Sequence, residues 1–125
     1  MASIVFMFAG QGAQYTGMGK SLFETSDAAR KVFELADNIR PGTSKQCFEG
    51  EAAELSVTIN TQPCLLCVYL AAAEALREAG VTPDGAAGFS LGEVAALTFA
   101  GSFSHTDGFS IVCERAALMH DASEK

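Results

Sequence analysis

Gly85-Ala86-Ala87-Gly88-Phe89-Ser90-Leu91-Gly92-Glu93-Val94 decides the fold. Residues 85–88 are small and apolar, suited to a short strand. Leu91 opens an apolar segment that runs to Ala100 and stops at Gly101, the pattern of a helix. Between them lies Gly-x-Ser-x-Gly. A Ser that joins a strand directly to a helix sits on a tight turn, and glycines two residues to either side let the two backbones approach without Cβ clashes. The turn pushes the Ser90 hydroxyl outward. It leaves the Leu91 N–H at a helix N-terminus, free to stabilise a developing oxyanion. A Gly-rich turn in which Ser90 merely caps the helix accounts for the serine but not for the paired glycines.

Working outward, Ser3–Phe8 (SIVFMF) is a short apolar run that reads as a buried strand of a parallel sheet. Ala9–Gly19 is a Gly-rich loop, with Gln11 between Gly10 and Gly12, where backbone N–H groups are exposed to a ligand. Lys20–Phe23 suits a short helix. Ser26 then caps a clear one with stripe Ala29, Val32, Phe33 and Ala36, stopped by Arg40-Pro41-Gly42. Thr43–Ser56 reads as polar and irregular, with at most one helical turn. The strongest helix follows, with Thr61 as its expected N-cap, Pro63 in its first turn and Gly80 at its end. Ser104 caps a last helix with Asp107 in its first turn; Ile111, Ala116, Leu118 and Met119 are its expected apolar residues. Strand, helices, strand, helices is an α/β pattern.

The geometry singles out Arg115. A helix from Leu91 to Ala100 carries the chain ~15 Å away from Ser90, and an antiparallel return from Ser104 brings it back ~15 Å, level with Ser90. A guanidinium there can grip a carboxylate with two hydrogen bonds. The same geometry places His105 far from Ser90 and His120 ~7 Å past Arg115 along the helix. Glu93 suits the helix dipole as a structural residue. Glu49, Glu51 and Glu54 read as a solvated face.

Composition narrows the function classes. The 125 residues are 49% hydrophobic and 18% charged, with net charge −7, right for one globular domain. The acidic balance argues against nucleic acid, and no basic amphipathic face or uninterrupted ~20-residue apolar run argues for a membrane. The first residues lack the basic region of a signal peptide. Cys47, Cys64, Cys67 and Cys113 are expected as reduced thiols in a cytoplasmic protein. Cys64-x-x-Cys67 has no second pair to complete a zinc site and reads as core packing.

Four motifs in order resemble a family. Gly88-Phe89-Ser90-Leu91-Gly92-Glu93 is similar to the nucleophile motif of the malonyl-CoA:acyl carrier protein transacylases and related acyltransferase domains. Phe8-Ala9-Gly10-Gln11-Gly12-Ala13-Gln14 resembles their Gly-Gln-Gly loop, Thr61-Gln62-Pro63 their Gln-Pro helix start, and Glu114-Arg115-Ala116-Ala117-Leu118-Met119 their Arg-containing helix. The likeness runs the whole length. Two positions depart from the family pattern: Phe89 stands where His is most common, removing a polar neighbour of the serine, and His120 stands where Gln is usual.

The resemblance implies a partial α/β-hydrolase-like core of short parallel strands flanked by helices, truncated before a ferredoxin-like subdomain. It implies that Ser90 carries the acyl group, that the Leu91 and Gln11 N–H groups form the oxyanion hole, and that Arg115 binds the free carboxylate of malonyl. Gln62, Gly10 and Gly12 join Arg115 in binding substrate. The implied partners are malonyl-CoA and acyl carrier protein, with a coenzyme A thioester as substrate and no further cofactor or metal. The family's His base lies far downstream, so residues 1–125 read as the front part of the large subdomain, inactive without the remainder of the enzyme. Acyl carrier proteins are acidic like this chain, so bulk charge does not steer the pair together. An α/β-hydrolase-type serine esterase or thioesterase, and a non-catalytic folded fragment, stay open as alternatives.

Overall fold

The computed structural model describes residues 2–125. The elements are β1 (Val5–Phe8), α1 (Lys20–Thr25), α2 (Asp27–Ile39), α3 (Thr43–Glu49), α4 (Ala52–Leu55), α5 (Thr58–Glu78), β2 (Gly85–Gly88), α6 (Leu91–Phe99) and α7 (His105–Ser123). The two strands are parallel neighbours, with Val5 opposite Gly85 and Phe8 opposite Gly88. The Phe89 N–H donates to the Phe8 carbonyl at 3.2 Å, which carries the pairing one residue past the strands to the threshold of Ser90. The fold is α/β, as the alternation of elements predicts.

The sheet presents unlike faces. Phe6 and Phe8 point inward, and the Phe99 ring of α6 lies 5.3 and 6.1 Å from theirs. Val5 and Met7 point the other way and are exposed, Met7 by 83%. The sequence leads one to expect a strand buried on both faces; among the described residues only the helix-packed face is covered.

Helix α5 is the central beam. Its 21 residues are long and apolar enough to cross a membrane by length and composition. Here they pack against α2 on one side and α6 and α7 on others, burying Leu65, Leu66, Leu70 and Ala71. The predicted stripe of α2 is buried as expected, and the Ser26 hydroxyl caps α2 by accepting from the Ala29 N–H at 3.1 Å. Ser26 Oγ in turn donates to Glu78 at 2.8 Å, tying the start of α2 to the end of α5.

Three local readings need correction. α5 begins a turn before Thr61, capped by Val57. Thr61 is instead fully buried, with its hydroxyl bonding back to the carbonyls of Leu55 (2.5 Å) and Val57 (2.9 Å). Pro63 therefore lies inside the helix, where it has no N–H to offer the preceding turn. Residues 43–56 are not irregular: α3 and α4 bury Cys47 and Leu55 under a polar surface. On α7 the buried residues are Gly108, Phe109, Val112 and Ala116, while Ile111, Leu118 and Met119 are exposed. Gly108 faces Thr98 so closely that a Cβ would collide with its side chain, and this contact sets the spacing of α6 and α7.

Two glycines of the Ser90 turn carry the steric load that the sequence assigns to them. A Cβ on Gly92 would strike the Phe8 and Ala9 carbonyls, and one on Gly88 would strike the Gly92 backbone. None of these atoms is the end of a flexible side chain. Gly92→Ala is thus expected to destabilise by about 4 kcal/mol, the upper range for single substitutions. Urea denaturation of the variant against the parent measures it.

Candidate active site

Ser90 has φ 55° and ψ −111°, making it the one non-glycine residue with positive φ among those described. Such a conformation costs on the order of 1–3 kcal/mol and is held only where the surroundings enforce it. The enforcers are β2 before it, α6 after it, and the hydrogen bonds of the Gly92 and Glu93 N–H groups to the Phe89 and Ser90 carbonyls, both 2.9 Å. Among the described residues the Leu91 N–H has no hydrogen-bond partner. It stands at the N-terminus of α6, where the helix dipole favours negative charge.

The loop after β1 supplies a second free donor. The Gln11 backbone N–H is likewise unpartnered among the described residues. Its side chain is anchored instead: Nε2 donates to Thr58 Oγ1 at 3.3 Å. Gly12 has φ 124°, which a side chain would strain, and its N–H donates to Gln14 Oε1 at 2.9 Å. The Tyr69 hydroxyl donates to the Gly10 carbonyl at 3.1 Å, and burial raises its pKa. Sequence reasoning missed Tyr69 and Thr58; the only signal was a Tyr within the apolar run of α5. Tyr69→Phe is expected to cost about 1 kcal/mol, by thermal unfolding, and to loosen this loop.

Arg115 reaches the serine, as the helix-length arithmetic predicts. Its Nη2 donates to Ser90 Oγ at 3.0 Å and its Nη1 to Gln62 Oε1 at 2.5 Å. Gln62 is fully buried, and its Nε2 donates to the Met119 sulfur at 3.3 Å. Thioether sulfur is a weak acceptor, so the amide is oriented with its oxygen toward Arg115. Ile111, Glu114, Arg115, Leu118 and Met119 line an open, mostly apolar hollow on α7. The exposed apolar residues of α7 thus border the guanidinium rather than the core.

Ser90, Gln62, Arg115 and Gln11 therefore come from four separate elements or loops, with Ser90, Arg115 and Gln62 joined in one hydrogen-bonded chain. Arginine only donates, so it cannot take the serine's proton. Neither histidine bonds to Ser90: His105 pairs with Glu74 of α5 at 3.5 Å, and Ser90 Oγ has only Arg115 as its partner among the described residues. Glu93 sits in the first turn of α6 as expected for a structural residue. Phe89, next to Ser90 in the chain, has its side chain at the surface. It is 77% exposed, its ring lies against Gly10, and it lines the open sheet face with Met7 and Ala87.

Chemically, the arrangement offers a strained serine hydroxyl that accepts from a held guanidinium, and two backbone N–H groups without partners among the described residues. It suits a substrate with an electrophilic carbonyl next to a carboxylate. Comparison with known proteins places the chain among relatives. The Bacillus subtilis (strain 168) malonyl CoA-acyl carrier protein transacylase is 45% identical over 123 residues, covering 98% of this chain and 39% of that protein. The crystal structure of the Synechocystis sp. PCC 6803 malonyl-CoA:ACP transacylase superposes with TM-score 0.91 at 38% identity, covering 97% of this chain and 41% of that one. A complex of a type II polyketide synthase acyl carrier protein with its malonyl-transacylase matches with TM-score 0.88 at 31% identity, over 97% of this chain and 40% of the other. The chain thus spans about two fifths of the length of these relatives. Residues 5–125 match the acyl transferase domain family, and the chain belongs to it.

Proposed function

We propose that this chain forms the nucleophile-bearing part of an enzyme that moves a malonyl group from coenzyme A to acyl carrier protein, in fatty-acid or polyketide synthesis. The observation that carries the reading is the Gln62–Arg115–Ser90 chain of hydrogen bonds, which sets a cation directly against the serine hydroxyl. Ser90 attacks the thioester carbonyl. The developing oxyanion is met by the Leu91 and Gln11 N–H groups, and the coenzyme A thiol leaves. The malonyl carboxylate stands beyond the new ester, so Arg115 releases Oγ and takes the carboxylate while Gln62 still holds Nη1. Acyl carrier protein's thiol then attacks the acyl-serine. Gly10 and Gly12 shape the loop that receives the acyl group.

The base that takes the Ser90 proton is supplied from outside residues 2–125. Residues 1–125 by themselves accordingly do not sustain turnover, and further parts of the enzyme complete the cleft. The substrate is a coenzyme A thioester and the transfer needs no cofactor or metal. The partners are malonyl-CoA and acyl carrier protein, not nucleic acid or a membrane, and the compartment is the reducing cytoplasm.

The test sets the full-length protein against malonyl-CoA plus acyl carrier protein and, separately, against neutral p-nitrophenyl esters. Malonyl transfer with little ester hydrolysis is expected. Ester hydrolysis outpacing malonyl transfer would instead identify a serine esterase on the same turn.

A further inference from the structure

The Gly10–Gln11 peptide unit lies hard against the turn that carries Ser90. A Cβ on Gly10 would stand 3.0 Å from the Phe89 ring and 3.2 Å from the Phe89 carbonyl oxygen. The unit is trans, so its C=O and its N–H point in opposite directions. Whatever holds the Gly10 carbonyl therefore also aims the Gln11 N–H. The local chain does little to hold it. Gly10 has no Cβ to restrict its ψ, and Gly12 follows at φ 124°. Among the described residues no backbone N–H donates to the Gly10 carbonyl, and its one partner is the Tyr69 hydroxyl.

Tyr69 is well placed for this. It stands in the middle of α5, and the Phe8 ring of β1 lies 6.2 Å from its own. It is half-buried, and burial pushes its phenol up, so the hydroxyl keeps its proton and stays a donor. A donor on the carbonyl also polarises the amide, which strengthens the N–H on its other side. Thr58, at the start of the same helix, holds the Gln11 side chain. α5 thus grips this short stretch at two points and leaves the Gln11 N–H free.

We infer that Tyr69 is a positioning residue of the oxyanion site: its hydroxyl fixes the Gly10–Gln11 peptide plane, so that the Gln11 N–H is aimed before substrate arrives. Tyr69 has this role only if the Gln11 N–H is a donor to the oxyanion at Ser90, as proposed above. A plane aimed in advance needs no turning when negative charge develops, whereas a free plane between glycines must be turned at that moment. Loss of a whole oxyanion donor lowers kcat by about 10²–10³-fold; loss of its aim alone should cost less, about 10-fold.

The experiment follows acylation of Ser90 in the full-length protein and in Tyr69→Phe, which keeps the ring against Phe8 and removes only the hydroxyl. Rapid mixing with malonyl-CoA and, separately, with acetyl-CoA gives the acylation rate constant and the half-saturating concentration. Infrared difference spectra with an isotope-labelled carbonyl give the stretch of the Ser90 ester. The rate constant is expected to fall about 10-fold, equally for both acyl groups, with half-saturation unchanged and the ester stretch at higher frequency. A rate constant and stretch like the parent's would overturn the inference and leave the acyl-transfer reading intact. So would a loss confined to half-saturation or to malonyl alone, which marks a merely structural hydroxyl. A parent that forms no ester on Ser90 would overturn both.

Discussion

Replacing Ser90 by Ala is expected to lower malonyl transfer by roughly 10⁵-fold, the scale on which covalent catalysis depends on its nucleophile. Replacing it by Gly should abolish acylation as completely and yet not weaken the fold. Ser90 holds φ 55°, a conformation that Gly adopts freely. Relief of that strain, on the order of 1–3 kcal/mol, outweighs the 0.5–1 kcal/mol of added backbone entropy, so a net gain of about 1 kcal/mol is expected. Thermal unfolding of both variants checks it. Stability moving together with activity in Ser90→Gly would show that the backbone there is not held against its preference.

Arg115→Ala separates recognition from chemistry. The guanidinium meets only an acyl group that ends in a carboxylate, and charge-assisted hydrogen bonds of this kind contribute about 3 kcal/mol. The malonyl kcat/KM should fall by about 100-fold, and the acetyl kcat/KM should hold or rise. Gln62→Leu keeps the cation but removes the oxygen that holds Nη1, so a smaller fall, about 10-fold, is expected with most of it in KM. Steady-state kinetics with malonyl-CoA and acetyl-CoA on the three proteins distinguishes these outcomes. An equal loss for both substrates would mean that Arg115 supports the site's structure rather than reading the acid.

The parts of this site that were legible in the sequence are those fixed by short-range geometry. Gly88 and Gly92 announce a backbone crossing that no side chain survives, and the distance between them and Arg115 along two antiparallel helices follows from the helix rise alone. What stayed hidden depends on contacts between distant segments. Nothing in the sequence near Tyr69 says that its hydroxyl holds Gly10, 59 residues away. Polar α3 and α4 carry little periodic signal because each buries only one or two side chains, and α3 starts from Gly42 in the left-handed conformation without a side-chain cap. Thr61 and Pro63 look like a helix start because both residue types favour that place. Here Thr61 satisfies its hydroxyl against carbonyls of the preceding turn, inside a helix already under way. Apolar residues on α7 misled for another reason: Leu118 and Met119 serve the hollow beside Arg115 and not the core.

Ser90 as the acyl carrier and Arg115 as the reader of a carboxylate stand or fall together in one reaction. The most direct measurement mixes the full-length protein with equal concentrations of malonyl-CoA and acetyl-CoA, omits acyl carrier protein, and locates the acyl group by peptide mass mapping. A malonyl group on Ser90 in large excess over acetyl is expected. No adduct on Ser90, or acetyl loaded as readily as malonyl, would contradict it.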